Sequence, residues 1–274
     1  MRRILAATAL VLVLAVAGPA AAAGVHERAE AIPASGGVRL AGELTLPAGH
    51  GPFPAVVLVS GFGPVDRDGG FGLFHNHYYR TLATALARRG VAVLRYDKRG
   101  IGSSGGSALA WLNAPLLTRD IEAAERDLAR QPGVDPGRIG LIGHSQGGDL
   151  VLQAARELPG VRRVVTLAAP GRPLVAIDSR ANLVKRVVGP RIAAATIAVN
   201  PLPIAAAVRQ PTLLLQGSAD HTVPPVDLER LAAARRAAGR PTVTVRVPGA
   251  GHDITVHGRL PPWVLDRIAG FLRR

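Results

Sequence analysis

At 274 residues the chain is long enough for one sheet-centred domain, and its lack of cysteine excludes disulfides, thiolate metal sites and a cysteine nucleophile. The net charge of +14 comes from arginines scattered singly and in pairs such as Arg88-Arg89 and Arg162-Arg163, never in a run of five or six. With only five Phe, three Tyr and two Trp for base stacking, nucleic acid is not an expected partner, although a basic surface favours anionic surfaces or substrates.

Residues 1–23 have the layout of a secretory signal peptide. Met1-Arg2-Arg3 is basic, 4–16 is almost wholly apolar, and 18–23 offers small residues for cleavage. The apolar run is shorter than the ~20 residues of a spanning helix. A secreted or periplasmic protein is expected, with no stable membrane insertion after cleavage; an uncleaved anchor is the alternative. The remaining 24–274 reads as one domain.

Residues 38–46 alternate loosely and predict an antiparallel edge strand. Residues 55–59 are continuously apolar, as in a strand covered on both faces, and run into the glycine-rich loop 60–70. Helical spacing over 76–89 is closed by Gly90, and strand 91–94 leads into the loop 95–106. A helix over 115–130, a strand ending at Gly143 and a helix over 146–157 follow. Strands at 163–168, 212–216 and 243–247 alternate with helices at 226–238 and 262–273. This order predicts an α/β fold, a mostly parallel central sheet with helices on both faces. Ligands in such folds sit at the carboxyl ends of the strands, where every chemically equipped loop falls. Between Ala169 and Gln210 the pattern lapses into weak helical stretches at 174–188 and 192–198, then Asn200-Pro-Leu-Pro203. A small cap over 171–208 is expected there, a plain surface excursion being the alternative.

The chemistry centres on Gly143-His144-Ser145-Gln146-Gly147, a G-x-S-x-G pentapeptide between a strand and a helix. That arrangement is a nucleophile elbow, with glycines where the turn is too tight for side chains. Ser145 then needs a base and an orienting carboxylate. His252, in the glycine-rich loop after the last strand, is the expected base, ahead of His221 and His257. Asp220, just after the strand at 212–216, is the expected acid. Asp149 and Glu157 ride on the helix after the serine, Asp178 falls in the cap, and Asp227 and Glu229 are expected on a solvated helix face. An oxyanion hole needs two preorganised donors: Gln146 N–H and Phe62 N–H are expected, with Gly63 as alternative to Phe62.

These motifs resemble the α/β-hydrolase superfamily over nearly the whole of 24–274. The closest likeness is to bacterial serine carboxylesterases carrying Ser60-Gly61-Phe62-Gly63-Pro64-Val65-Asp66-Arg67-Asp68-Gly69 and Tyr96-Asp97-Lys98-Arg99-Gly100-Ile101-Gly102-Ser103-Ser104. The resemblance implies hydrolysis of small acyl esters, a small-molecule ester as partner and no cofactor; the expected cap is an insertion after the sixth strand. Such sequences are also grouped with dienelactone hydrolases and serine peptidases; serine in the nucleophile position argues against a thiol-dependent mechanism. Gln146 departs from the glutamate expected there in relatives, a change expected to tune the site. A peptidase or amidase with the same triad, or a non-catalytic binding protein on this scaffold, are the other readings. Asp66/Asp68 and His75/His77 suggest no metal geometry and are expected as solvated loop residues. Asp97 and Arg99 are expected to brace their loop. Oligomeric state is left open.

Overall fold

The structure, a computed structural model, describes residues 24–177, 183–186, 191 and 194–274. Eight strands form one sheet: β1 (Val25–Pro33), β2 (Arg39–Pro47), β3 (Phe53–Val59), β4 (Ala92–Tyr96), β5 (Val134–His144), β6 (Val161–Leu167), β7 (Thr212–Gly217) and β8 (Thr242–Val247). Their order is β1-β2-β4-β3-β5-β6-β7-β8. The pairs β1–β2 and β2–β4 are antiparallel, and every pairing from β4 to β8 is parallel.

Period two explains why the central strands are apolar throughout. In β3, Ala55, Val57 and Val59 enter one hydrophobic cluster while Val56 and Leu58 enter the other. The first cluster is closed by α2 (Ala114–Leu128), α3 (Gln146–Glu157), α4 (Pro201–Ala207) and α5 (Val226–Ala237), the second by α1 (Tyr78–Ala87) and α6 (Pro262–Leu272). Helices therefore cover both faces, as the alternating pattern predicts. Among the described residues no helix is long and apolar enough to cross a membrane.

Three local expectations need correcting. The segment 25–33, not expected as a strand, pairs residue for residue with β2 from Val25–Pro47 to Pro33–Arg39. Its Val-His-Glu-Arg-Ala-Glu-Ala-Ile-Pro sequence buries only Ile32, so it has the charged character of an edge strand and no usable apolar period. Residues 39–47 are consequently an interior strand and not the edge. A short helix starts at Pro201: Asn200 accepts from Leu202 N–H at 3.1 Å and the proline occupies the first turn, where its missing N–H costs nothing. Asp227 is fully buried, not solvated, and takes a bidentate pair from Arg172 at 2.8 and 3.0 Å.

The signal-like residues 1–23 lie outside the described residues, as do 178–182, 187–190 and 192–193 of the expected cap, including Asp178. Within that insertion Leu174 and Ile197 are buried against Phe62, Val175, Ile177 and Val184. Helix α4 instead joins the main core, with Ala205 and Val208 fully buried.

Candidate active site

Strand β5 runs straight into α3 through Ser145, whose backbone lies at φ 53°, ψ −125°. A non-glycine residue there is strained by about 1–3 kcal/mol. Its neighbours explain how the turn closes. A Cβ on Gly143 would overlap the Gly147 carbonyl, and one on Gly147 would overlap the Val59 carbonyl. Both glycines are thus required by close backbone approach, and they let β3, β5 and α3 converge on the serine. Ser145 N–H donates to Leu167 O at 2.8 Å and Gly148 N–H to Ser145 O at 2.8 Å, which pins the elbow on both sides.

The structure brings His252 and Asp220 together: His252 Nδ1 lies 2.9 Å from Asp220 Oδ2. Asp220 sits in the turn after β7 and accepts three further bonds. Thr222 and Val223 N–H donate to Oδ1 at 2.8 and 2.9 Å, and Gln216 Nε2 donates to Oδ2 at 2.7 Å. Burial opposes ionisation of this carboxyl, but the His252 bond and charge and the two backbone donors outweigh it, so its pKa falls below the ordinary value. An ionised Asp220 fixes the Nδ1–H tautomer of His252 and leaves Nε2 as a lone pair. Ser145 Oγ makes no hydrogen bond to His252 among the described residues; such contacts commonly tighten only with substrate bound. His221 is exposed and His257 lies in a tight hairpin at φ 49°.

The two expected oxyanion donors lie on either side of this elbow. Gln146 opens α3, where its N–H has no intrahelical acceptor and faces the positive end of the helix dipole. Phe62 follows Gly61, whose position packs against Ser145: a Cβ on Gly61 would lie 3.2 Å from Ser145 Cβ. Neither Phe62 N–H nor Gln146 N–H donates to an acceptor among the described residues. The side-chain amide of Gln146 is buried with both polar atoms unpartnered.

Three residues with no role in the sequence reading turn out to join these loops. Gly61 N–H donates to the Tyr79 hydroxyl at 2.9 Å, and that hydroxyl lies 2.9 Å from His144 Nδ1. With Tyr79 already accepting from Gly61, its own proton goes to Nδ1, and His144 Nε2–H donates to the His252 carbonyl at 3.1 Å. The imidazole of His144 stays neutral, its pKa pulled down to about 3 by burial and by His252 beside it. Lys98, buried at the end of β4, donates through Nζ to the Gly61 and Gly63 carbonyls. The signal for Lys98 was compositional: it is one of two lysines among 33 basic residues. The signal for His144 was its place inside the elbow pentapeptide.

The remaining loop residues brace the framework. Asp66 Oδ1 accepts from the N–H groups of Asp68, Gly69 and Gly70, and Asp68 pairs with buried Arg95 at 2.9 Å, so neither is free. Asp97 accepts from Arg67 and Ser103 N–H, as a loop brace should. Arg99 reaches further, to Asp120 on α2 and the Ser35 carbonyl. Beside the loop that carries Phe62 lies a largely apolar cavity of about 980 Å³ lined by Trp111, Leu112, Leu116, Leu183, Val184 and Ala195 among others. Phe62 meets Trp111 edge to face at 5.4 Å, linking the loop to the cavity wall.

Comparison with known proteins agrees with this architecture. Residues 70–199 match the family described as serine aminopeptidase, S33. Esterase EstD of Thermotoga maritima is 36% identical over 135 residues, 49% of this chain, but the chain spans only 31% of that protein. Among solved structures, the Pyrococcus furiosus esterase PF2001 superposes with a TM-score of 0.70 at 20% identity, over 91% of both chains. A Mycobacterium tuberculosis puromycin-hydrolyzing peptidase does so with 0.70 at 23% identity, over 94% of this chain and 40% of that one. The eight-stranded sheet, with a strained serine between β5 and α3, and these likenesses show that the chain has the α/β-hydrolase fold and is similar to esterases and peptidases built on it.

Proposed function

We propose that this protein is a serine hydrolase that cleaves carboxylic esters through an acyl-enzyme. The observation that carries the reading is the His252–Asp220 bond, made between the ends of β8 and β7 beside a serine held at positive φ. Ser145 Oγ attacks the ester carbonyl carbon while His252 Nε2 takes its proton. The resulting oxyanion lies between Phe62 and Gln146 N–H. Collapse breaks the bond to the alcohol, which leaves with the proton from His252. Water, deprotonated by the same imidazole, then attacks the acyl-serine; the acyl–Oγ bond breaks, His252 returns the proton to Ser145 Oγ, and the carboxylic acid is released. Asp220 stays ionised throughout and orients the ring. No step calls on a cofactor or metal, and the partner is a small-molecule ester. The basic, apolar and small-residue segments of 1–23 support export to the periplasm or beyond.

Substituting Ser145→Ala is expected to cut p-nitrophenyl acetate turnover at least 1,000-fold, the order set by loss of a triad member, with the fold unchanged by circular dichroism. Wild-type turnover in that variant would overturn the reading. The S33 match and the puromycin-hydrolyzing neighbour favour a second one, peptidase or amidase action with the same residues. Parallel assay of an ester and an aminoacyl amide of the same acyl group separates the two.

A further inference from the structure

The peptide joining Gly61 to Phe62 is gripped at a point that no step of the proposed reaction uses. Lys98 Nζ donates to the Gly61 carbonyl and, at 3.0 Å, to the Gly63 carbonyl. Lys98 is only 2% exposed and forms no salt bridge among the described residues. Burial with no counter-charge pushes its ammonium pKa down to about 7. Sinking an ammonium into apolar surroundings is unfavourable, whereas a methionine would fill the same space without penalty. Space-filling is therefore a poor account of this side chain.

Peptide geometry supplies a better one. A trans peptide is planar, with its C=O and N–H on opposite sides. Holding the Gly61 carbonyl on Lys98 therefore turns Phe62 N–H to the opposite side, while Tyr79 fixes the preceding N–H of Gly61. The Gly63 carbonyl, held by the same amine, prevents the loop from rotating as a unit. A donor on the carbonyl also draws electron density through the amide and strengthens its N–H as a donor in turn. His144 is the titratable group that senses Lys98 from the elbow side, and the charge there helps keep its imidazole neutral.

We infer that Lys98 is a positioning residue for the oxyanion hole: it locks the Gly61–Phe62 peptide so that Phe62 N–H is aimed at the developing oxyanion. This inference rests on the ester-hydrolase reading, and its test keeps the two apart. Wild type is first labelled with a fluorophosphonate; no labelling would overturn the hydrolase reading itself. Lys98→Met and Lys98→Gln are then compared with wild type for p-nitrophenyl acetate kinetics and for inhibition by a trifluoromethyl ketone, which forms the tetrahedral adduct on Ser145. Lys98→Met is expected to lower kcat about 100-fold, the order set by loss of one oxyanion donor, with KM within threefold. Ketone affinity should weaken by a similar factor, and Lys98→Gln, which keeps N–H donors, should recover at least tenfold of the loss. A crystal structure of Lys98→Met should show the Gly61–Phe62 peptide rotated. Unchanged kcat and ketone affinity, or an unrotated peptide in that crystal, would overturn the inference. Should Lys98→Met fail to fold, wild-type kcat and ketone affinity in Lys98→Gln with a rotated peptide would overturn it equally.

Discussion

His144 combines two jobs at one position, since its backbone shapes the elbow while its ring ties Tyr79 to the His252 carbonyl. That ring also makes the site acid-sensitive. Its pKa lies near 3 in the folded protein because of burial and the neighbouring His252, against about 6.5 in an unfolded chain. Between those values the unfolded state binds more protons, so the stability from a neutral His144 is complete above about pH 6.5 and drains away as pH falls. Lowering the pH from 6.5 to 4.5 should cost about 2 kcal/mol from this group alone, at about 1.4 kcal/mol per pH unit. Urea denaturation of wild type and His144→Phe across that range is the check: the variant should have the shallower slope of stability against pH. Asp220 adds stability that is complete above the ordinary carboxylate range and is lost only at more acidic pH, as pH falls toward its lowered pKa. Of these residues, Ser145, Asp220 and His252 were legible as a candidate triad in order and spacing, and the structure bonds the last two to each other. The ring of His144 was not, because a pentapeptide motif specifies backbone geometry and says nothing about where the variable side chain points.

At the scale of elements, the alternation of buried strands and amphipathic helices was readable because a parallel sheet must bury both faces. What escaped were elements that owe their existence to a partner. Strand β1 has no apolar stripe of its own and exists through its ladder with β2. Helix α4 has seven residues and is secured at its C-terminal end by Arg235 from α5. That guanidinium, fully buried, donates to the carbonyls of Ala205, Val208, Gln210 and Pro241 and to Thr242 Oγ1. The Gln210 and Pro241 carbonyls also accept from Thr212, but those of Ala205 and Val208 rely on this one side chain, which composition registers only as another arginine. Each buried acceptor left unpaired costs about 1–3 kcal/mol. Arg235→Met should therefore destabilise the protein by about 3 kcal/mol or more in chemical denaturation, whereas exposed Arg236 replaced by Met should change little.

At the scale of the molecule, the sheet delivers four loops to one edge: those after β3, β5, β7 and β8 carry Phe62, Ser145, Asp220 and His252. Beside them the roughly 980 Å³ cavity between the start of α2 and the insertion offers more apolar room than a chain poor in aromatics suggests. Its volume suits an acyl or alcohol group well beyond acetyl size. Across a p-nitrophenyl ester series, kcat/KM should rise from acetate toward medium-length chains. Leu116→Trp, which fills part of the cavity, should move the optimum back to short chains while leaving acetate turnover within twofold. A profile unaffected by the substitution would place the acyl group elsewhere.

The amino-acid sequence by itself determined the alternating α/β plan, the elbow, and the chain order of Ser145, Asp220 and His252. These follow from local rules: hydrophobic period, turn sterics, and the placement of polar residues at strand ends. Only the tertiary structure decided that β1 completes the sheet, that Asp227 is buried against Arg172, and that Tyr79, His144 and Lys98 hold the loop after β3. Those contacts join residues far apart in the chain. Their strength depends on side-chain direction and on exclusion of water, neither of which a linear pattern carries.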